Sequence, residues 1–358
     1  MTEIGAYIHV PFCASKCDYC AFATWTNRGH LQEAYLDAVR TEIDRAIASG
    51  FGPATTVFVG GGTPTLVDPT LLARVIERVP TIEGAEVTVE CNPDDVTPSM
   101  LQAFANGGVN RVSIGVQSMS PPVLRALGRT HDPANVERAV AAARADGLPT
   151  FNLDPIYGAA GETVESWRTT VERALALQPP HISAYGLTVE PGTPLADQPA
   201  RHPDDDDQAD KYELADELLT AAGLENYEVS NWARPGHESR HNFLYWRQAD
   251  YRGFGCAAHS HHAGRRWWNV RTPDRYIDLI TRGESVEAAS ETLDGPTRRT
   301  EAAQLIMRTR DGVGRNAFED GALETLDRLL VAHPSDPHRV VLTRAGRLLA
   351  NEVSTYLR

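Results

Sequence analysis

Six short apolar runs set the frame of this chain: Tyr7–Val10, Thr55–Val59, Glu86–Glu90, Arg111–Val116, Thr150–Asp154 and His181–Leu187. Between and after them lie stretches in which apolar residues return every three or four positions, clearest at Leu31–Ala48, Ala134–Ala145, Val164–Leu177 and Ala209–Ala221. Strand-length runs that alternate with amphipathic helices make βα units with parallel strands. Six consecutive units predict an α/β fold, a partial (β/α)6 barrel of the TIM type. A doubly wound sheet is the competing arrangement. In a barrel the functional groups gather where the strands end. The unusual residues fall there: Gly60-Gly61-Gly62-Thr63 after Val59, Glu90 at the end of its strand, Gln117 after Val116, and Asp154 closing Phe151–Leu153.

The alternation stops near residue 225, which closes a first domain of residues 1–225. Residues 226–284 are rich in aromatic side chains and histidine, with little periodicity, and read as a linking segment. From residue 285 the pattern turns mainly helical, at Thr300–Arg310 and Ala322–Ala332. The tail Val340–Arg358 reads as a short strand, a turn and a helix. Residues 285–358 are thus expected to form a small, mainly helical, winged-helix-like C-terminal domain. A net charge of −14 over 358 residues argues against nucleic acid as a partner, in spite of that winged pattern. The run Asp204–Asp207 reads as a solvated loop before a helix. No apolar run approaches the roughly 20 residues needed to span a bilayer. The start lacks the basic and apolar stretches of a secretory signal, so the expected location is cytoplasmic.

Of five cysteines, three fall within eight residues, as Cys13-Ala-Ser-Lys-Cys17-Asp-Tyr-Cys20, directly after the first strand. A disulfide framework does not cluster them this way in so long a chain; clustering points to metal. Three thiolates on one tight loop can each bind one iron of a cubane cluster. A cluster that only passes electrons takes four cysteines, so here one iron stays open. That iron can take the amino and carboxylate groups of S-adenosylmethionine. A zinc site, completed by Cys91 or His9, is the alternative metal reading. Cys91 and Cys256 otherwise read as small buried hydrophobes.

The C-x3-C-x2-C loop resembles that of the radical S-adenosylmethionine superfamily. The fuller wording Y-I-H-V-P-F-C-x3-C-x-Y-C is similar to the oxygen-independent coproporphyrinogen III oxidase family, which holds both oxidases and heme chaperones. The similarity continues through Gly60–Thr65, Gly115–Ser118, Leu153–Gly158 and His241–Trp246, nearly the whole chain. It implies a [4Fe–4S] cluster on Cys13, Cys17 and Cys20, and S-adenosylmethionine as cofactor. By resemblance, Gly61, Gly62 and Thr63 line its methionine end, Glu90 takes the ribose, and Tyr7 and Ala184 lie beside it. Gln117, Arg129 and Asp154 match further positions around a cofactor or substrate; an Arg129–Asp154 ion pair is the purely structural alternative.

Three features favour the chaperone branch. The oxidases extend the motif to C-x3-C-x2-C-x-C, and here Phe22 stands at the last position. They also carry a longer segment before the first strand than Met1–Ala6. The segment His241-Asn-Phe-Leu-Tyr-Trp246 fits the chaperone pattern H-N-x-x-Y-W, and Asp250–Ser260 follows a family pattern in which Ala257 replaces a glycine. His241 is the leading candidate heme ligand, with Tyr245 and Trp246 as flat apolar surface and Arg240 and Arg247 as partners for propionates. His259, His261 and His262 form a second cluster. The expected function is heme binding and delivery to hemoproteins such as respiratory cytochromes. The alternative is coproporphyrinogen III oxidation. The resemblance admits a homodimer and, through a recipient, peripheral contact with a membrane.

Overall fold

The computed structural model describes residues 3–358. The six strands predicted from the sequence are β1 (Ile4–Val10), β2 (Ala54–Gly61), β3 (Thr81–Cys91), β4 (Arg111–Gln117), β5 (Thr150–Tyr157) and β6 (His181–Ser183), and they pair in parallel in that order. Alternate residues of the strands form a buried apolar face, as in β1, where Ala6, Ile8 and Val10 are fully buried, while the opposite face carries polar groups such as Glu90, Ser113 and Asp154 into the interior. The connecting helices are α1 (Gln32–Ala48), α2 (Pro69–Arg78), α3 (Pro98–Asn106), α4 (Pro121–Ala126), α5 (Pro133–Ala145), α6 (Val164–Ala176) and α7 (Asp205–Ala221). Asp68, Thr97 and Asp132 cap α2, α3 and α5 with side-chain oxygens, and each is followed by proline at the first helical position. Such a cap contributes about 1 kcal/mol and fixes where the helix starts.

The predicted run His181–Leu187 is not one strand. It breaks at Ala184, whose N–H donates to Ser230 O at 2.9 Å, and resumes as β7 (Tyr185–Gly186) against β5. The acidic run is not a loop either. Asp204 caps α7, and Asp205, Asp206 and Asp207 form its first turn, where the helix dipole favours negative charge.

Residues 226–284 extend both flanks of the same sheet. On one side β8 (Glu225–Glu228) and β9 (Asn231–Ala233) run antiparallel beside β6. Helix α8 (Arg240–Trp246) packs against β1 and β2. On the other side β10 (Asp250–Phe254) pairs in parallel with β1, followed by the antiparallel β11 (His259–His262), β12 (Arg265–Asn269) and β13 (Glu287–Thr292). The outermost strands of this 13-stranded sheet are β13 and β8, so the barrel is partial and open. Helix α9 (Pro273–Thr281) packs on α1.

After α10 (Gly295–Ile306) the chain forms a small unit with its own core around Met307, Phe318, Leu326 and Val353. The expected helix Ala322–Ala332 is one turn only, α11 (Ala322–Thr325). Leu330–His333 instead forms a strand, β15, because it pairs with β16 (Asp336–Leu342), which also carries β14 (Val313–Gly314). Two short helices, α12 (Arg344–Leu348) and α13 (Ala350–Ser354), complete the unit. Among the described residues no helix is long and apolar enough to cross a membrane.

Candidate functional site at the open rim of the sheet

The cysteine loop leaves β1 at Pro11 and is closed at its base. Trp25 N donates to Pro11 O at 2.8 Å and Cys13 N to Trp25 O at 3.2 Å. The end of β2 is fastened beneath it: Gly62 N donates to Val10 O and Thr63 N to Phe12 O, both at 2.7 Å. A Cβ on Gly62 would sit 2.6 Å from Phe12 O and 2.8 Å from Val10 O. Gly61 has φ +109°, and a side chain there would strike the ring of His9. The glycines therefore let two chain segments touch, besides leaving room for a ligand.

Cys13, Cys17 and Cys20 are free, half-buried and line a cavity of about 840 Å³. Arg129 Nη1 donates to Cys17 Sγ at 3.5 Å and Thr63 Oγ1 to Cys13 Sγ at 3.6 Å. Burial pushes the Cys13 and Cys20 thiols up, so without a metal they favour the neutral form. Among the described residues no group of three or more His, Cys, Asp or Glu is gathered around a single-ion position. Thiols that each take a different iron need no such common centre. The fourth zinc ligands considered above are engaged elsewhere: His9 Nε2 lies 2.9 Å from Ala23 O, and Cys91 is buried against Val89 O.

Across the cavity stand two carboxylates. Glu90 Oε2 accepts from Gly61 N at 3.2 Å, and its pKa is raised to about 7, first by burial and then by the charge of Asp154. Asp154 accepts from Ser113 Oγ at 2.6 Å and from Asn152 Nδ2; burial pushes it up too. Gln117 also lines the cavity, with a left-handed φ of +57° that is uncommon for a side chain of its kind. Arg129 does not pair with Asp154. Its guanidinium goes to Cys17 and to Asn92 Oδ1, at 3.0 Å. Tyr7 lines the cavity, stacked on Phe58, whereas Ala184 is buried and its neighbours Ser183 and Tyr185 face the space.

The family model of the radical SAM superfamily matches residues 7–174. Heme chaperone HemW of Mycobacterium tuberculosis is 39% identical over 363 aligned residues, covering 98% of this chain and 93% of that protein. HemW of Escherichia coli (strain K12) is 41% identical, with 72% of this chain and 70% of that protein covered. The chain belongs to the HemW family of the radical SAM superfamily. The solved coproporphyrinogen III oxidase HemN of Escherichia coli superposes with a TM-score of 0.85 over 99% of this chain and 89% of its own; at 22% identity this speaks for the fold alone.

Radical SAM chemistry requires a [4Fe–4S] cluster and S-adenosylmethionine, and the rim of this HemW-family sheet fits both. Three uncrosslinked thiols face a cavity large enough for a nucleoside, with a carboxylate pair and an arginine around it. Asn92, Ser113, Asn152 and Ser183 escaped the sequence reading. Asn152 points to the same face as Asp154 because side chains two apart on a strand share a face. That periodicity was the one available signal.

The expected heme segment is less open than its motif suggests. His241 is 1% exposed, with Nδ1 2.7 Å from Thr56 Oγ1 and Nε2 2.8 Å from the Tyr245 hydroxyl. Its ring stacks on Phe58 and burial pushes its pKa down to about 3. The leading candidate ligand therefore has both ring nitrogens committed and lines neither large cavity. Arg240 donates to Gly84 O at 2.8 Å, and Arg247 pairs with Asp311 at 2.9 Å while covering the Phe243 ring. In the second cluster, His261 bonds Ala249 O and His262 pairs with Asp250. His259 remains, stacked on Trp268 at 5.6 Å.

Proposed function

We propose that this chain is a heme chaperone with a radical SAM core: it binds heme and hands it to recipient hemoproteins, respiratory cytochromes among them. The observation that carries this reading is the similarity to proteins named heme chaperone HemW, which spans 98% of the chain. Phe22 supports it, since the loop offers no further thiol two residues beyond Cys20. The proposed site is cytoplasmic, and a homodimer and membrane contact through a recipient belong to the same reading.

Cys13, Cys17 and Cys20 would hold three irons of the cluster. Gly61, Gly62 and Thr63 would border the methionine end of S-adenosylmethionine, Glu90 its ribose, and Tyr7 and the Ala184 backbone its flanks. Gln117, Arg129 and Asp154 would bound the remaining space. A cluster held there would supply one-electron reducing power to S-adenosylmethionine. The chain's own part is plainer. Glu90 would accept a ribose hydroxyl, with Asp154 beside it held in place by Ser113 and Asn152. Arg129 sets a positive charge beside Cys17.

The reading is tested on anaerobically reconstituted protein, given S-adenosylmethionine, reductant and either hemin or coproporphyrinogen III. Heme uptake with coproporphyrinogen III unchanged is the expected result. Formation of protoporphyrinogen IX would overturn the proposal in favour of the oxidase.

A further inference from the structure

Resting on the chaperone reading, we infer that heme docks in the second large cavity, on the β10–β12 flank of the sheet, with His259 as its axial ligand and Arg271 as partner of a propionate. This cavity, of about 650 Å³, adjoins the first; Tyr7, Ala21 and Phe22 border both. That volume falls in the range of sites that enclose a cofactor-sized ligand.

Three observations converge there. First, His259 is the histidine of this region whose ring is left uncommitted. His241, His261 and His262 have protein partners, whereas the His259 imidazole makes no hydrogen bond among the described residues and is exposed to the cavity. Partial burial lowers its pKa, which favours the neutral, ligating imidazole. Second, the walls are flat. Trp268 stacks beneath His259 with an interplanar angle of 24°, and Tyr245 and Tyr251 stand edge to face at 4.8 Å. Phe22 closes the cavity from the cysteine loop with 60% of its surface exposed, a large apolar ring without packing of its own. A planar apolar macrocycle would cover it. Third, Arg271 is exposed at the same cavity and has no ion pair among the described residues, so its fork is free for a carboxylate.

The placement explains Phe22 and His241 together. Phe22 stands where the oxidases carry cysteine, and here it walls a porphyrin site. His241 holds the Tyr245 hydroxyl, and through it the orientation of one wall, so it is a positioning residue.

The test is a hemin titration of the cluster-loaded full chain, followed by absorption and electron paramagnetic resonance. The expected result is a histidine-ligated spectrum in the wild type. His259→Ala should lose that spectrum, bind hemin about 10–100-fold more weakly, and regain histidine-like ligation on adding imidazole. Arg271→Glu should weaken binding without changing the ligation spectrum. Retention of the wild-type spectrum and affinity in His259→Ala would overturn the docking site while leaving the chaperone reading intact. Failure of the wild type to bind hemin would overturn both. Because His259 and Arg271 lie at the surface, both variants should fold, and circular dichroism checks that they do.

Discussion

At the scale of single residues, two side chains carry strain or charge that can be measured. Ala257 has φ +56°, the left-handed region where a Cβ is unfavourable. The family pattern has glycine there, and the structure gives the reason. Ala257→Gly should stabilise the protein by about 0.5–1 kcal/mol, the strain released less the extra chain entropy that glycine loses on folding. Urea unfolding reads this; an unchanged or lower midpoint would contradict it. Glu90 titrates near 7 in the ligand-free fold against an ordinary 4.5. Its contribution to stability is thus fully present below about 4.5 and lost as pH rises through about 7. The melting temperature of Glu90→Gln relative to wild type should climb across that window, and a constant difference would count against it. Glu90, Asp154 and the three cysteines were legible in the sequence because they stand in motifs at strand ends. The enclosure of His241 was not legible: Thr56, which occupies its Nδ1, is 185 residues away in sequence.

At the scale of elements, the parallel strands were legible because each has a buried apolar face and alternates with a helix. The flanking strands were not. β10 owes its place to pairing with β1, some 240 positions earlier, and short strands such as β9 have no period long enough to read. The same is true of β15, whose strand state comes from β16. The junction of the cysteine loop with β2 yields its own prediction. Gly62→Ala brings a methyl against two carbonyl oxygens, an overpacking worth about 1–3 kcal/mol. The loop is the part free to shift, so iron content after anaerobic reconstitution should fall while the far-ultraviolet circular dichroism stays native. Full cluster occupancy in this variant would show that the loop tolerates the displacement.

At the scale of the molecule, a buried carboxylate helps tie the C-terminal unit to the sheet. Asp216 of α7 accepts from Trp232 Nε1 at 2.9 Å, Arg344 Nε at 2.6 Å and Arg347 Nη2 at 3.0 Å. Burial pushes its pKa up, but the charge and bonds of Arg347 outweigh this and hold it below the ordinary 3.8. Backbone bonds join the two parts as well, from Val229 N to Arg308 O and from Arg310 N to Tyr227 O. Asp216→Asn leaves two guanidinium groups short of their partner and should cost about 1–3 kcal/mol. Limited proteolysis should then release the C-terminal unit faster than in wild type; equal rates would show that the backbone bonds suffice. Under the proposed function the molecule as a whole is a heme carrier built around a radical SAM rim, and delivery is the step most open to direct observation. Hemin-loaded, cluster-containing protein is mixed anaerobically with the apo form of a b-type cytochrome, and the absorption bands are followed with time. The account predicts that the carrier's heme spectrum declines as the cytochrome spectrum grows in equal measure, faster than from free hemin at the same concentration. Heme that stays on the carrier, or that reaches the cytochrome no faster than free hemin does, would contradict it.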